Sequence, residues 1–250
     1  MIILTGATGK LGSALYKNLR SFNRKILTPS RQEMNLQDGD SISDYLYNVD
    51  NSLNDKSKVS VIHCAAMIGA KACEDDKDKA YNTNVLGTRK IARICSFLGW
   101  HMYYISTDYV FDGRKGNYSE NDTPNPLTYY SLTKLLGEES VLSLNKKVIR
   151  LSHFPDVCNY KSAYADKITS ALLTTEMAYL LSGVIYKLEK ANFVKLDINR
   201  RLIHIGGKPK SFYDLAKKSS LNVEKAKAPE GTPMDTSFNL SKMRMILGEK

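Results

Sequence analysis

A tyrosine followed four residues later by a lysine, Tyr130 and Lys134 in TYYSLTKLLGE, can move a proton. On a helix the two side chains share one face, where the ammonium favours the phenolate and draws the phenol down from its usual pKa of about 10. The spacing alone is common in a chain with 15 tyrosines, and Tyr186 and Tyr213 show it too. Context selects Tyr130. It opens a helix that follows the apolar run HMYYIS, and that run stops at Ser106, Thr107 and Asp108. A hydroxyl at such a strand end can hold a carbonyl oxygen while a phenol protonates it. Tyr186 falls in an amphipathic helix and Tyr213 near the C-terminus, so both read as packing or surface residues.

A second pattern lies at the start of the chain, where GATGKLG places Gly6, Gly9 and Gly12 between an apolar run and a helical one. Glycines at that spacing allow a tight turn, let the backbone approach a pyrophosphate, and let helix pack on strand. An anion then meets the helix N-terminus. Position in a strand, turn and helix gives this spacing its meaning and predicts dinucleotide binding.

The elements that must hold these residues alternate. MIILT, KILTP, KVSVIH, HMYYIS and KKVIRLS read as strands. Between them Leu11, Ala14, Leu15, Leu19 and Phe22 recur at helical spacing, and a longer helical pattern runs from Lys77 to Leu98. The alternation predicts an α/β fold, a Rossmann-type doubly wound parallel sheet with a small C-terminal substrate-binding lobe. Residues 1–151 are expected to form the dinucleotide-binding domain. Residues 152–250 are expected to form mainly the lobe, with 175–206 returning to the core through a helix at TEMAYLLSGVIYKLEK and a strand at RRLIHIGG. The stretch DNSLNDKSK reads as a polar loop.

Composition excludes several classes. At 250 residues the chain can bury a full core, and no apolar run reaches the roughly 18 residues that cross a membrane. The net charge of +10 is spread along the chain instead of forming a basic arm, so anionic small molecules are expected as partners and nucleic acid is not. The four cysteines form no CxxC pair and the four histidines show no ligand spacing, so no metal site is expected. The opening MIILTGATG has no basic segment leading into a long apolar one, and a cytoplasmic location is expected. The oligomeric state stays open, a homodimer included.

Taken together, ILTGATGKLG, SRQEMNLQD, CAA, NTNVLGT, YYISTDYVFDG, YYSLTKLLGE and PMDTSFNLSKMRMILG make the chain similar to extended short-chain dehydrogenases/reductases, and within them to the dTDP-4-dehydrorhamnose reductase branch. The resemblance implies that Thr107, Tyr130 and Lys134 are catalytic, with Asn84 in support. It implies that Gly6, Thr8, Gly9, Lys10, Leu11, Gly12, Asn35, Leu36, Cys64, Ala65, Ala66, Asn84, Tyr130 and Lys134 hold the cofactor. Ser106, Thr107, Asp108, Tyr109 and His153 are then expected to meet a nucleotide sugar, with a turn-capping role the alternative for Asp108. The chain departs from the family at Ser131, where a glycine is usual, and at His153, where a tryptophan is, and its C-terminal lobe is short. A dehydratase of this fold needs a Thr-Asp-Glu run for eliminating water, and here Tyr109 replaces the glutamate, which favours reduction. A 4-epimerase uses the same three catalytic residues, and the regulatory β subunit of methionine adenosyltransferase resembles the same branch without catalysing. NADPH is the expected cofactor, with NADH the alternative. The second strand is followed by Ser30 and Arg31, a hydroxyl and a guanidinium suited to a 2′-phosphate, while Glu33 lies beyond them.

Overall fold

The computed structural model describes residues 1–55, 59–190, 201–220 and 222–249. In chain order the strands and helices of the first part are β1 (Ile2–Thr5), α1 (Lys10–Leu19), β2 (Ile26–Leu27), α2 (Gly39–Asn51), β3 (Ser60–His63), α3 (Ala70–Asp75), α4 (Lys77–Tyr81), α5 (Thr88–Phe97), β4 (His101–Thr107), α6 (Tyr129–Leu142) and β5 (Lys147–Leu151). They are followed by β6 (His153–Phe154), β7 (Ser162–Tyr164), β8 (Ile168–Thr169), β9 (Leu172–Leu173), α7 (Thr174–Lys190), β10 (Leu202–Ile205), β11 (Lys210–Ser211), α8 (Phe212–Ser219), β12 (Glu224–Ala226) and α9 (Ser241–Leu247). A six-stranded sheet runs β10-β5-β4-β3-β1-β2, with β1 parallel to both β2 and β3, and β3 parallel to β4. Numbered in chain order the sheet's strands run 2-1-3-4-5-6, a doubly wound order that reverses between β1 and β3, within the Rossmann-like α/β class that strand and helix alternation predicts.

The chain divides into two compact units. One comprises Met1–Ser106 with Thr128–Ile149, the other Thr107–Leu127 with Arg150–Lys250.

In the first unit β1 and β3 are buried along their whole length, which is why they read as near-continuous apolar runs. Two helical features of this unit differ from the sequence pattern. α2 is absent from the periodicity reading because its sequence, GDSISDYLYNVDN, is mostly polar. It forms because Asp38 caps Asp40 N and Ser41 N, and because Ile42, Leu46 and Val49 fall on one buried face. The pattern from Lys77 to Leu98 is not one helix. Asn82–Gly87 forms a π-helical turn between α4 and α5, a break that side-chain periodicity does not reveal. The polar stretch from Asp50 begins inside the end of α2, and residues 56–58 lie outside the described residues.

The second unit carries short two-stranded ladders, β8 with β11, β7 with β12 and β6 with β9. Its interior includes a stack of Phe111 on Tyr118 at 4.1 Å and of His204 on Phe238 at 4.2 Å. α7 buries Met177, Leu181, Val184, Ile185 and Leu188. Residues 191–200, part of the segment expected to return to the core, lie outside the described residues.

Two glycine substitutions should move stability in opposite directions. A Cβ on Gly87 would overlap the Leu36 carbonyl oxygen, whereas one on Gly183, inside α7, meets nothing within 4 Å. In urea titrations Gly87→Ala should lose about 1–3 kcal/mol, and Gly183→Ala should gain roughly 0.5–1 kcal/mol from helix propensity.

Candidate active site

The glycine turn brings the start of α1 close against the end of β1. Gly6 sits at φ +71°, and a Cβ there would stand 2.7 Å from Ala65 N. A Cβ on Gly12 would overlap the Gly6 carbonyl oxygen, so α1 can lie this close to β1 only without a side chain at that position. Gly9, extended, precedes α1 with no side-chain cap, and no acidic residue occupies the helix's first turn. The first N–H groups of α1 therefore carry their partial positive charge toward whatever anion approaches. Leu11 is buried, and Thr8 and Lys10 are exposed.

After β2, Glu33 turns back on Ser30. Its carboxylate accepts from Ser30 N at 2.8 Å, and Glu33 N donates to Ser30 Oγ at 3.3 Å. These bonds hold the Glu33 carboxyl below its usual pKa. Arg31 is exposed between them. Asn35 accepts from Gln37 N and binds Ser41 Oγ through its own N–H, and Leu36 follows it half-buried.

Lys134 lies on α6, four residues after the half-buried Tyr130, and is itself 3% exposed. Its ammonium donates to Ile105 O at 2.7 Å and lies 4.1 Å from the centre of the Tyr104 ring. Burial pulls its pKa down to about 8, against the opposing pull of the Glu138 and Cys64 side chains. Burial raises the Cys64 thiol to about 12, so it stays protonated. Thr128 and Ser131 cap each other's backbone at the start of α6, which puts Tyr130 in the helix's first turn. The serine that departs from the family pattern is thus one half of this capping box.

Asn84 stands in the π-helical turn and makes three bonds. It accepts from Met67 N at 2.8 Å, and donates to Met67 O and to Thr133 Oγ1, each at 3.0 Å. It ties the loop after β3, which carries Cys64, Ala65 and Ala66, to α6. Ser106, next along β4 from the carbonyl that binds Lys134, has a buried Oγ with no hydrogen-bond partner among the described residues. A buried unpaired hydroxyl is costly, and a ligand oxygen would satisfy it.

Beneath these residues runs a buried chain that sequence reading missed. Ala65 N donates to Thr5 Oγ1, which lies 2.7 Å from His63 Nδ1, and His63 Nε2 lies 3.1 Å from Thr88 Oγ1. Tyr104 Oη then donates to Lys134 O at 3.4 Å. Burial, and then the Lys134 charge, lower His63 to a pKa of about 3, so it is neutral. No local spacing announces this chain, since its members are far apart in sequence.

In the second unit Thr107 closes β4. Its hydroxyl donates to Asp108 Oδ1 at 3.2 Å and accepts from Tyr109 N at 3.2 Å. Asp108 is fully buried, and its other oxygen accepts from Thr169 at 3.2 Å and Thr236 at 2.7 Å. Burial raises the Asp108 pKa, while the three hydroxyls and Lys167 oppose the rise. Tyr109 is half-buried. His153 Nδ1 lies 3.0 Å from Thr174 Oγ1, whose proton goes to Phe154 O, which makes Nδ1 the protonated ring nitrogen. Among the described residues no group of three or more His, Cys, Asp or Glu is placed to hold a metal ion, and no helix is long and apolar enough to cross a membrane.

A family model, the RmlD substrate binding domain, matches residues 1–156. The chain belongs to that family. It is similar to the methionine adenosyltransferase 2 subunit beta of Bos taurus, 35% identical over 151 residues, which is 58% of this chain and 43% of that protein. The chain therefore matches less than half the length of that curated relative. Among solved structures it is similar to a hypothetical dTDP-4-dehydrorhamnose reductase from Sulfolobus tokodaii, 29% identical with a TM-score of 0.80, covering 100% of this chain and 95% of that one. It is also similar to a dTDP-4-dehydrorhamnose reductase from Bacillus anthracis in complex with NADP, 25% identical with a TM-score of 0.79, covering 98% and 90% of the two chains.

The neutral His63 has a measurable consequence. Between its unfolded pKa of 6.5 and its folded pKa of about 3, only the unfolded chain takes up the proton, so stability falls as pH falls. Replacing His63 with Asn should flatten the slope of unfolding free energy against pH over this window by about 1.4 kcal/mol per pH unit, one proton's worth. Urea titrations from pH 4 to 6 measure it, and an unchanged slope would mean that His63 is not held neutral.

Proposed function

We propose that the chain is an NADPH-dependent reductase of a nucleotide-linked 4-keto-6-deoxyhexose, the role for which its dTDP-4-dehydrorhamnose reductase relatives are named. The observation that carries the reading is Lys134, a buried ammonium four residues beyond Tyr130 on α6. The glycine turn, the uncapped start of α1 and the unpaired Ser106 hydroxyl fit a bound dinucleotide and a substrate oxygen. Residues 1–151 would hold the cofactor and the rest mainly the sugar nucleotide. When bound, the reduced nicotinamide supplies a hydride to the carbonyl carbon. Tyr130 gives its phenolic proton to the carbonyl oxygen, and Lys134 stabilises the phenolate left behind. Thr107 orients that oxygen by turning its hydroxyl from Asp108 to the substrate. Asn84 keeps the β3 loop and α6 in register. Tyr109 and His153 face the sugar.

A second reading is a non-catalytic binding subunit, favoured by the 35% identity to the methionine adenosyltransferase subunit. One variant separates the two. Tyr130→Phe should lower kcat by about 10²–10⁴-fold while the NADPH Kd stays within about twofold, as followed by absorbance and by fluorescence titration. A wild type that binds NADPH but turns over no 4-keto sugar nucleotide would leave the binding reading.

Lys134 also sets a pH dependence. Its ammonium is present below about pH 8 and is lost above it, so kcat/KM should fall as pH rises through 8. A profile flat to pH 9.5 would contradict the role given to the ammonium.

Cofactor choice rests on Arg31. With its guanidinium on the 2′-phosphate, Arg31→Ala should cost roughly tenfold in kcat/KM for NADPH and leave NADH unchanged. An unaltered preference would remove Arg31 from that role.

A further inference from the structure

Asp108 is a buried carboxyl that the mechanism above uses only as the resting partner of Thr107. It is 1% exposed. Its Oδ2 accepts two hydroxyl bonds, from Thr169 at 3.2 Å and from Thr236 at 2.7 Å, while its Oδ1 accepts one, from Thr107 at 3.2 Å. The charge that bears on it is Lys167, whose ammonium donates to the Tyr109 hydroxyl at 2.9 Å. Oδ1 is therefore the oxygen with room for a proton.

A hydroxyl has one proton to give and two lone pairs with which to receive. Thr107 gives its proton to Asp108 Oδ1 and receives from Tyr109 N at 3.2 Å, so what remains for a ligand is one lone pair. A carbonyl oxygen only accepts, and a lone pair cannot serve it. Turning the Thr107 proton toward the carbonyl with nothing in exchange would leave Oδ1 buried, charged and facing a second lone pair across 3.2 Å, which is expensive. A proton on Oδ1 removes the conflict. Asp108 then donates to Thr107 Oγ1, Tyr109 N keeps the other lone pair, and the Thr107 proton is released to the substrate. Burial raises the pKa of Asp108 against the opposing pull of the three hydroxyls and of Lys167, which makes that proton easier to take up.

We propose that Asp108 is a positioning residue that takes up a proton when the ketone binds, and so turns Thr107 from a hydrogen-bond acceptor into the donor that the carbonyl needs. The inference rests on the reductase reading and deepens it. The proton comes from solvent to Asp108 Oδ1 and returns to solvent when the product leaves. An alcohol product, which can itself donate, meets Thr107 without that proton.

The test uses the full chain with NADP+ bound, so that dTDP-4-dehydrorhamnose binds without reacting. Calorimetric titration at pH 7 in two buffers of different ionisation heat counts the protons taken up. The wild type should take up protons with the ketone and fewer with its 4-hydroxy product. Asp108→Asn sets an amide donor toward Thr107 and a carbonyl toward Thr169 and Thr236, and should lose the ketone's uptake. Thr107→Val should lose it as well, and Thr107→Ser, which keeps the hydroxyl, should retain it. From pH 6 to 7.5 the wild-type Kd for the ketone should weaken with rising pH by up to about tenfold per unit, while that of Asp108→Asn stays within about twofold. Uptake that persists in Asp108→Asn or Thr107→Val, or a wild type that binds and reduces the ketone with no uptake, would overturn the proposal and leave the reductase reading standing. A wild type that neither binds nor reduces the sugar nucleotide would overturn that reading and the proposal with it.

Discussion

A charge buried away from water must be given partners by the fold, and Lys134 is the charge around which the first unit is arranged. Its ammonium has one carbonyl, Ile105 O, and one aromatic face, Tyr104, close at hand. Both come from β4, so α6 has to lie where the side chain reaches along that strand. Gly137 lets it do so, because a Cβ there would stand 2.5 Å from Tyr104 Oη and 2.9 Å from Asn84 O. The capping pair Thr128 and Ser131 fixes where α6 starts, and with it the height of Tyr130 above the lysine. The neutral His63 completes the arrangement: a second positive charge beside Lys134 would be costly, and burial prevents it.

The second unit handles a buried carboxylate by a different route. Asp108 meets three hydroxyls. Burial raises its pKa, and hydroxyls from three separate segments, with the Lys167 charge, oppose that rise without cancelling it. The result is a stiff base beneath Thr107 and Tyr109, assembled from the β4 end, β8 and the segment before α9.

Local chemistry announced some of this and could not announce the rest. The parallel sheet follows from apolar runs alternating with helical ones, and the glycine turn is a contiguous motif whose steric need is visible at Gly6 and Gly12. α2 escaped because a cap and three buried side chains outweigh its polar composition. The π-helical turn escaped because an apolar stripe persists through a single widened turn, although that turn is what carries Asn84. Tyr130 with Lys134 is a short-range spacing. Tyr109 with Lys167, and Thr5 with His63, join residues 58 apart in the chain and exist only once the strands are laid side by side. Spacing rules work within one element, and pairs made by topology are invisible to them.

The chain is similar both to proteins named as reductases and to one named as a subunit of another enzyme, so likeness does not decide whether it performs chemistry. The measurement that decides most directly is isotope transfer. NADPH carrying deuterium at both C4 positions of the nicotinamide, incubated with the protein and dTDP-4-dehydrorhamnose, should yield a 4-hydroxy sugar nucleotide with one deuterium on C4 of the sugar, seen by NMR. Binding of both ligands with no deuterium transferred to the sugar would contradict the account.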